Sequence, residues 1–165
     1  MSTEKSSPES PQLALPAIDP TAIAPRTGTI YPEPFKATVA GRSKQALGAA
    51  LGLKNFGVNR VTLAPGGASA LRHWHTKQDE FIYVVAGEVT LVTEAGEQVL
   101  TAGMAAGFPA GKADGHQLVN RSGREAVYLE VGDRLPGDEV IYPDVDLAGQ
   151  QSYSWQLTRK DGTAL

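Results

Sequence analysis

The chain has 165 residues, 41% of them hydrophobic and 20% charged, with a net charge of −3. That describes one domain with enough apolar material for a core, and it offers no basic surface for nucleic acid or an anionic membrane. There is no cysteine, which excludes disulfides, iron–sulfur clusters and thiol nucleophiles together. The opening MSTEKSSPESPQ lacks the apolar stretch of a secretory signal, and no apolar run is long enough to span a bilayer. A soluble, cytoplasmic protein is expected.

Residues 1–26 are rich in Ser, Pro, Ala and Thr, with prolines at 8, 11, 16, 20 and 25. Such a segment supports neither a helix nor a central strand and reads as a flexible arm ahead of a single domain over 27–165. Tyr31 and Phe35, set around rigid prolines, read as an extended segment docking onto a surface. From Gln45 to Leu53 an apolar run is broken by Gly48 and Gly52 and is expected to form a short helical turn. The middle of the chain then reads as strands: Phe56–Leu63, Leu71–His75, Glu80–Val85, Glu88–Thr93, Gln98–Leu100, Met104–Phe108, Gln117–Asn120 and Ala126–Val131. Glycine turns at Gly66-Gly67, Gly87 and Gly96 separate them. Short strands at regular spacing predict an antiparallel barrel or sandwich.

All three histidines of the chain fall inside this strand region. His73 and His75 are one residue apart, so on a strand they point to the same face. Glu80 follows after a short polar connection, and His116 lies in a second glycine-rich block. Three imidazoles and one carboxylate form a complete ligand set for one divalent transition metal ion, with iron, manganese, nickel and zinc all compatible. On a six-coordinate ion two positions stay open for water, dioxygen or a chelating substrate.

These residues resemble the two motifs of the cupin superfamily. Gly67, His73, His75, Glu80 and Gly87 match every position of the first motif. Gly103, Pro109, Gly111, His116 and Asn120 match the second with one departure, since four residues rather than two separate Gly111 from His116. In the uninterrupted spacing Asp114 takes the histidine slot. His116 is favoured because its spacing to Asn120 is right, and Asp114 stays as the alternative. The resemblance covers about residues 56–132 and implies an all-β fold, an antiparallel double-stranded β-helix or jelly-roll barrel with few short helical turns. The flanking FPAGKADGHQLVN and YLEVGDRLPGDEVIYPDVDL are similar to small single-domain cupins named as sugar-phosphate isomerases. That resemblance implies a metal-dependent isomerase acting on a small polar sugar or sugar phosphate. An iron-dependent dioxygenase and a non-catalytic small-molecule sensor are the alternatives.

No catalytic base follows from the sequence, although Asp114 and Glu80 are candidates. Lys77, Lys112 and Arg60 are candidate partners for a phosphate. By alternation Trp74 faces away from the two histidines, and Phe81, Tyr83 and Val85 share the outer face of the next strand. An apolar outer face needs a cover. A homodimer is expected, with the arm bearing Tyr31 and Phe35 reaching across the partner.

Overall fold

The computed structural model describes residues 13–151 and 155–165. Among the described residues there are two 3₁₀ turns, one helical turn and twelve short strands, the strands forming three antiparallel sheets. No helix among the described residues is long and apolar enough to cross a membrane.

The first sheet contains β1 (Arg42–Gln45), β2 (Phe56–Leu63), β9 (Ala126–Asp133), β4 (Glu80–Ala86) and β7 (Ala105–Phe108), in the order β1-β2-β9-β4-β7. A second contains β6 (Gly96–Thr101), β5 (Glu88–Thr93) and β8 (Gln117–Val119). Alternation on these strands directs one set of side chains inward: Val61 and Leu63, Tyr128, Ile82 and Val84, Val89 and Leu91, Leu118. They form one buried cluster, the barrel core. β-branched residues populate these positions because they pack well on a pleated, half-buried surface.

A third sheet, in the order β12-β11-β10-β3, consists of β12 (Trp155–Thr158), β11 (Ala148–Gln151), β10 (Glu139–Ile141) and β3 (Trp74–His75). It has its own core, in which Val140, Tyr142 and Leu147 pack with Tyr31 and Val39, and Phe35 packs against them. Tyr31 meets Tyr142 edge to face at 5.9 Å, and its hydroxyl accepts a hydrogen bond from the Leu71 amide. Tyr31 and Phe35, expected to cross to a partner, therefore complete this chain's own second core. The reason is the C-terminal sheet, whose apolar face would otherwise be bare.

The strands expected at Phe56–Leu63 and Glu88–Thr93 have those bounds, and the helical turn is Leu47–Ala50. The expected strand Leu71–His75 shortens to Trp74–His75, because His73 is tied instead into a lone bridge with His116. β1 and β10–β12 carried no strand signal. The N-terminal segment is anchored from its second half onward. Gln45 Nε2 donates to the carbonyls of Pro20 and Ile23, and Arg26 pairs with Lys44 through both backbone bonds. Residues 1–12 of the expected arm lie outside the described residues.

Two motif residues act on the fold. Gly87 has φ +73°, and a Cβ there would stand 2.6 Å from the Glu125 carbonyl, so the β4–β5 turn admits no side chain. Asn120 is fully buried. Its amide donates to the carbonyls of Leu63 and Arg124, and its oxygen accepts from the Ser122 amide and hydroxyl. It thus ties its own loop, between β8 and β9, to the end of β2. Asn120→Ala strands those carbonyls and should cost about 3 kcal/mol of stability, read from the urea midpoint with m unchanged. A loss within the error of extrapolation would mean that water replaces the side chain.

Candidate metal centre

The barrel mouth brings the four expected ligands together from three elements. His75 sits on β3, and Glu80 opens β4 on its inward face. His73 and His116 exchange backbone hydrogen bonds in both directions, which sets their rings side by side with centroids 4.7 Å apart. Glu80 Oε2 lies 2.9 Å from His116 Nε2, 3.5 Å from His75 Nε2 and 3.7 Å from His73 Nε2. His73, His75 and Glu80 each offer a ligand atom within 4.8 Å of the others.

The hydrogen bonds behind the ligands fix the direction of their lone pairs. His73 Nδ1 is 2.8 Å from the Leu71 carbonyl, and His75 Nδ1 is 2.5 Å from the carboxylate of fully buried Asp138. Each Nδ1 faces an acceptor and therefore carries the proton, which leaves Nε2 as a bare lone pair. Asp138 is held in turn by the amides of Lys77 and Gln78. His116 is positioned differently: its ring stacks on Phe108 at 3.6 Å, nearly parallel, and its Nδ1 has no partner among the described residues.

Electrostatics favour the ligand forms. Burial pushes the His73 imidazole down to about 4, against the pull of Glu80 and with the help of the two neighbouring imidazoles, so it is neutral at physiological pH. Burial opposes charge on Glu80 as well, but His116 and the other two imidazoles outweigh it and bring the carboxyl down to about 2. The result is a carboxylate facing the bare nitrogens of His73 and His75, with His116 Nε2 against its Oε2. Glu80 Oε2 is buried without a hydrogen-bond donor. A buried acceptor surrounded by acceptors is unfavourable unless a cation stands among them. The two nitrogens and one oxygen of His73, His75 and Glu80 are donors that a divalent transition metal takes, so these three residues fit such an ion, and His116 stands outside that group against Glu80.

Asp114 is elsewhere. Its Oδ1 accepts from the Glu94 amide, and its Oδ2 lies 3.7 Å from Lys112 Nζ. It lines a crevice of about 30 Å³ at the lip of the site, together with Lys112 and Trp74. Trp74 is therefore not on the barrel exterior. β3 is only two residues long and sits at the rim, so the side opposite His75 looks onto the Lys112–Asp114 loop. Of the cations expected to meet a phosphate, only Lys112 reaches this rim. Arg60 donates to Gln45, on the sheet face away from the core, and Lys77 Nζ lies against Gly137.

A larger cavity of about 800 Å³ opens over the imidazoles. Its walls include Arg42, Lys44, Glu130, Tyr142 and Arg134, none of which sequence reasoning selected. Lys44 Nζ contacts both oxygens of Glu130 at 2.8 and 3.0 Å, and Asn59 donates to Oε1 at 2.9 Å. One signal was available: Glu130 shares its alternation with Tyr128 and Ala126, so it is a carboxylate at an inward position of an apolar strand. Lys44 gave no such signal, because RSKQ does not read as a strand.

Comparison with family models finds the cupin domain over residues 59–132. No curated protein matches the sequence. Among solved structures, a cupin-superfamily sugar phosphate isomerase from Silicibacter pomeroyi is 44% identical, aligning 91% of this chain and 96% of that one with a TM-score of 0.88. A proposed sugar phosphate isomerase from Acidithiobacillus ferrooxidans is 29% identical over 76% of this chain and 82% of its own, with a TM-score of 0.68. A polyketide cyclase from Streptomyces resistomycificus shares the fold at 22% identity, 78% and 85% coverage and a TM-score of 0.62. With a relative 44% identical over nearly the full length of both chains, and both histidine motifs assembled at one barrel mouth, this protein belongs to the cupin superfamily.

Proposed function

We propose that the protein is a metal-dependent isomerase of a small polar sugar or sugar phosphate, with His73, His75, Glu80 and His116 as ligands of one divalent ion. The observation that carries this reading is the large cavity above the imidazoles, whose lining includes Arg42, Lys44 and Arg134. Basic residues interleaved with Glu80, Glu130 and Asp133 in that lining offer donors and acceptors together, which suits a hydroxylated ligand bearing a charged group. The name of the Silicibacter pomeroyi relative agrees with it. When bound, the ion supplies a Lewis acid that polarises a carbonyl. The chain supplies the rest: Asp138 and the Leu71 carbonyl hold two imidazoles in register, Arg42 and Arg134 offer charge to the substrate, and Tyr31 and Tyr142 close the wall over His73.

The ligand assignment is tested by competition for a divalent ion such as manganese or zinc. His116→Ala should weaken binding strongly, whereas Asp114→Ala should leave it nearly unchanged. Asp138→Ala, which touches no metal, should cost roughly 10–100-fold in affinity by releasing His75. An Asp114→Ala loss equal to that of His116→Ala would reverse the assignment.

The activity is tested with protein loaded with manganese(II) or iron(II), kept free of oxygen and given a panel of three- to six-carbon aldose and ketose phosphates. Interconversion of an aldose with its ketose, followed by NMR, is the expected result. Turnover that requires and consumes oxygen would instead identify a dioxygenase, and saturable binding without turnover a sensor.

We also propose a homodimer. Phe81, Tyr83 and Val85 remain 44%, 41% and 48% exposed on the outer face of β4, and Leu129 and Val131 stand beside them on β9. A continuous apolar sheet face of this kind is unusual on a monomer, and two-fold pairing is the commonest cover. Since Tyr31 and Phe35 are occupied within the chain, the cover must come from the same face of a second copy. Light scattering should give a dimer, and Phe81→Asp combined with Tyr83→Asp should give a folded monomer. A wild-type monomer at high micromolar concentration would reject this.

A further inference from the structure

Beneath the mouth lies a second, smaller chamber of about 80 Å³. It brings Lys44, Tyr128 and Glu130 together with His73, His116 and Glu80. The strand register explains the grouping. Glu80 pairs with Gly132 and Ile82 with Glu130, so the two glutamates are diagonal neighbours on one face, a relation that separates Cβ atoms by roughly 7–8 Å. Gly132, directly opposite Glu80, leaves the space between them free of a side chain. A small substrate oxygen near the imidazoles would thus place its adjoining carbon toward Glu130.

Three features set this chamber apart from ordinary core. Tyr128 is completely buried, and its hydroxyl makes no hydrogen bond of good geometry among the described residues, with the Ser69 side chain as its near polar neighbour. A buried hydroxyl without a partner is costly and needs an oxygen from a ligand or water. Glu130 accepts from Lys44 on both oxygens and from Asn59 on Oε1, which leaves lone-pair capacity on Oε2. The side chains of Lys44 and Glu130 keep 30% and 21% exposure, and both line the chamber as well as the large cavity. Glu80 is the only other carboxylate among the described residues lining both spaces, and it faces the imidazoles. An ion pair at such a position adds little to stability compared with apolar packing.

We propose that Glu130 is the base of the isomerisation, that Lys44 positions it, and that the Tyr128 hydroxyl donates to a substrate oxygen. The inference rests on the isomerase reading. Glu130 takes the proton from the carbon beside the carbonyl. The C–H electron pair becomes the new C=C bond, and the carbonyl π pair moves to its oxygen, which takes the proton of the neighbouring substrate hydroxyl. The hydroxyl-bearing carbon then becomes the new carbonyl as the C=C pair takes the proton from Glu130 at the former carbonyl carbon. One carbon is oxidised, its neighbour is reduced, and no external reagent is consumed. Tyr128 keeps its proton throughout.

The experiment follows deuterium uptake from D₂O into the same aldose and ketose phosphate panel by the metal-loaded full chain. Wild type should incorporate deuterium at the exchanging carbon. Glu130→Gln should lower exchange and turnover at least about a hundredfold while retaining metal. Because that change leaves Lys44 without its counter-ion, the neutral pair Lys44→Gln with Glu130→Gln serves as a second variant and should be equally inactive. Lys44→Met should lower kcat with little change in KM, and Lys44→Arg should restore most of it. Exchange that persists in a folded, metal-loaded Glu130→Gln protein or in the neutral pair would overturn the assignment and leave the isomerase reading standing. Isomerisation without deuterium uptake in wild type is what Glu130 returning the same proton faster than it exchanges would give, and turnover of the Glu130→Gln protein then decides. A wild type inactive on the whole panel would remove the isomerase reading and this assignment together.

Discussion

Everything at the mouth of this barrel depends on one unfavourable arrangement of lone pairs. Glu80 is a half-buried carboxylate whose buried Oε2 makes no hydrogen bond of good geometry, and three imidazole Nε2 atoms stand 2.9–3.7 Å from it. Two of those nitrogens cannot relieve it, because the Leu71 carbonyl and the Asp138 carboxylate hold their protons on Nδ1. His73, His75 and Glu80 thereby turn three acceptors toward one another, with the His116 ring beside Glu80, in a low-dielectric environment where unpaired polar atoms are expensive. A divalent cation, once bound, would convert that cost into the binding energy of the site. The fold accordingly invests buried polar groups, Asp138 above all, in keeping the acceptors aligned.

The same alternation that fills the barrel with Val61, Val84 and Tyr128 also sets the chemistry. Inward positions near the closed end of the strands are apolar, and those near the open end are polar. On β4 the inward series runs Val84, Ile82, Glu80; on β9 it runs Ala126, Tyr128, Glu130, Gly132. Core and site are thus successive layers of one sheet face. Site residues on strands keep their geometry better than residues on loops, which suits Glu80 and Glu130. Asp114 and Lys112, on the lengthened loop, remain at the rim.

Much of this was legible in the sequence, for physical reasons that also mark its limit. The His-x-His pair, the glutamate five residues on and the glycines with required turn conformations impose local constraints, so the barrel strands and the clustering of His73, His75 and Glu80 could be read directly. His116 could be preferred over Asp114 by its spacing to Asn120, and the geometry places His116 against Glu80. Long-range facts were not legible. The C-terminal strands Glu139–Ile141, Ala148–Gln151 and Trp155–Thr158 are short and polar, and they hold only by pairing with β3 and covering Tyr31 and Phe35. Without that sheet in view, the aromatic residues of the arm looked free to bind a partner and Trp74 looked external. Lys44 and Asp138 matter through Glu130 and His75, which are 86 and 63 residues distant.

The central claim is that His73, His75, Glu80 and His116 hold one metal ion. It is tested most directly by a crystal structure of the protein purified without an affinity tag and loaded with manganese or zinc, with anomalous scattering recorded at the metal's absorption edge. The account predicts a single anomalous peak per chain, within about 2.0–2.3 Å of the three Nε2 atoms and a Glu80 oxygen. An empty site in metal-loaded crystals, with Glu80 protonated or bridged by water, would contradict it, as would an ion bound at Asp114 in place of His116.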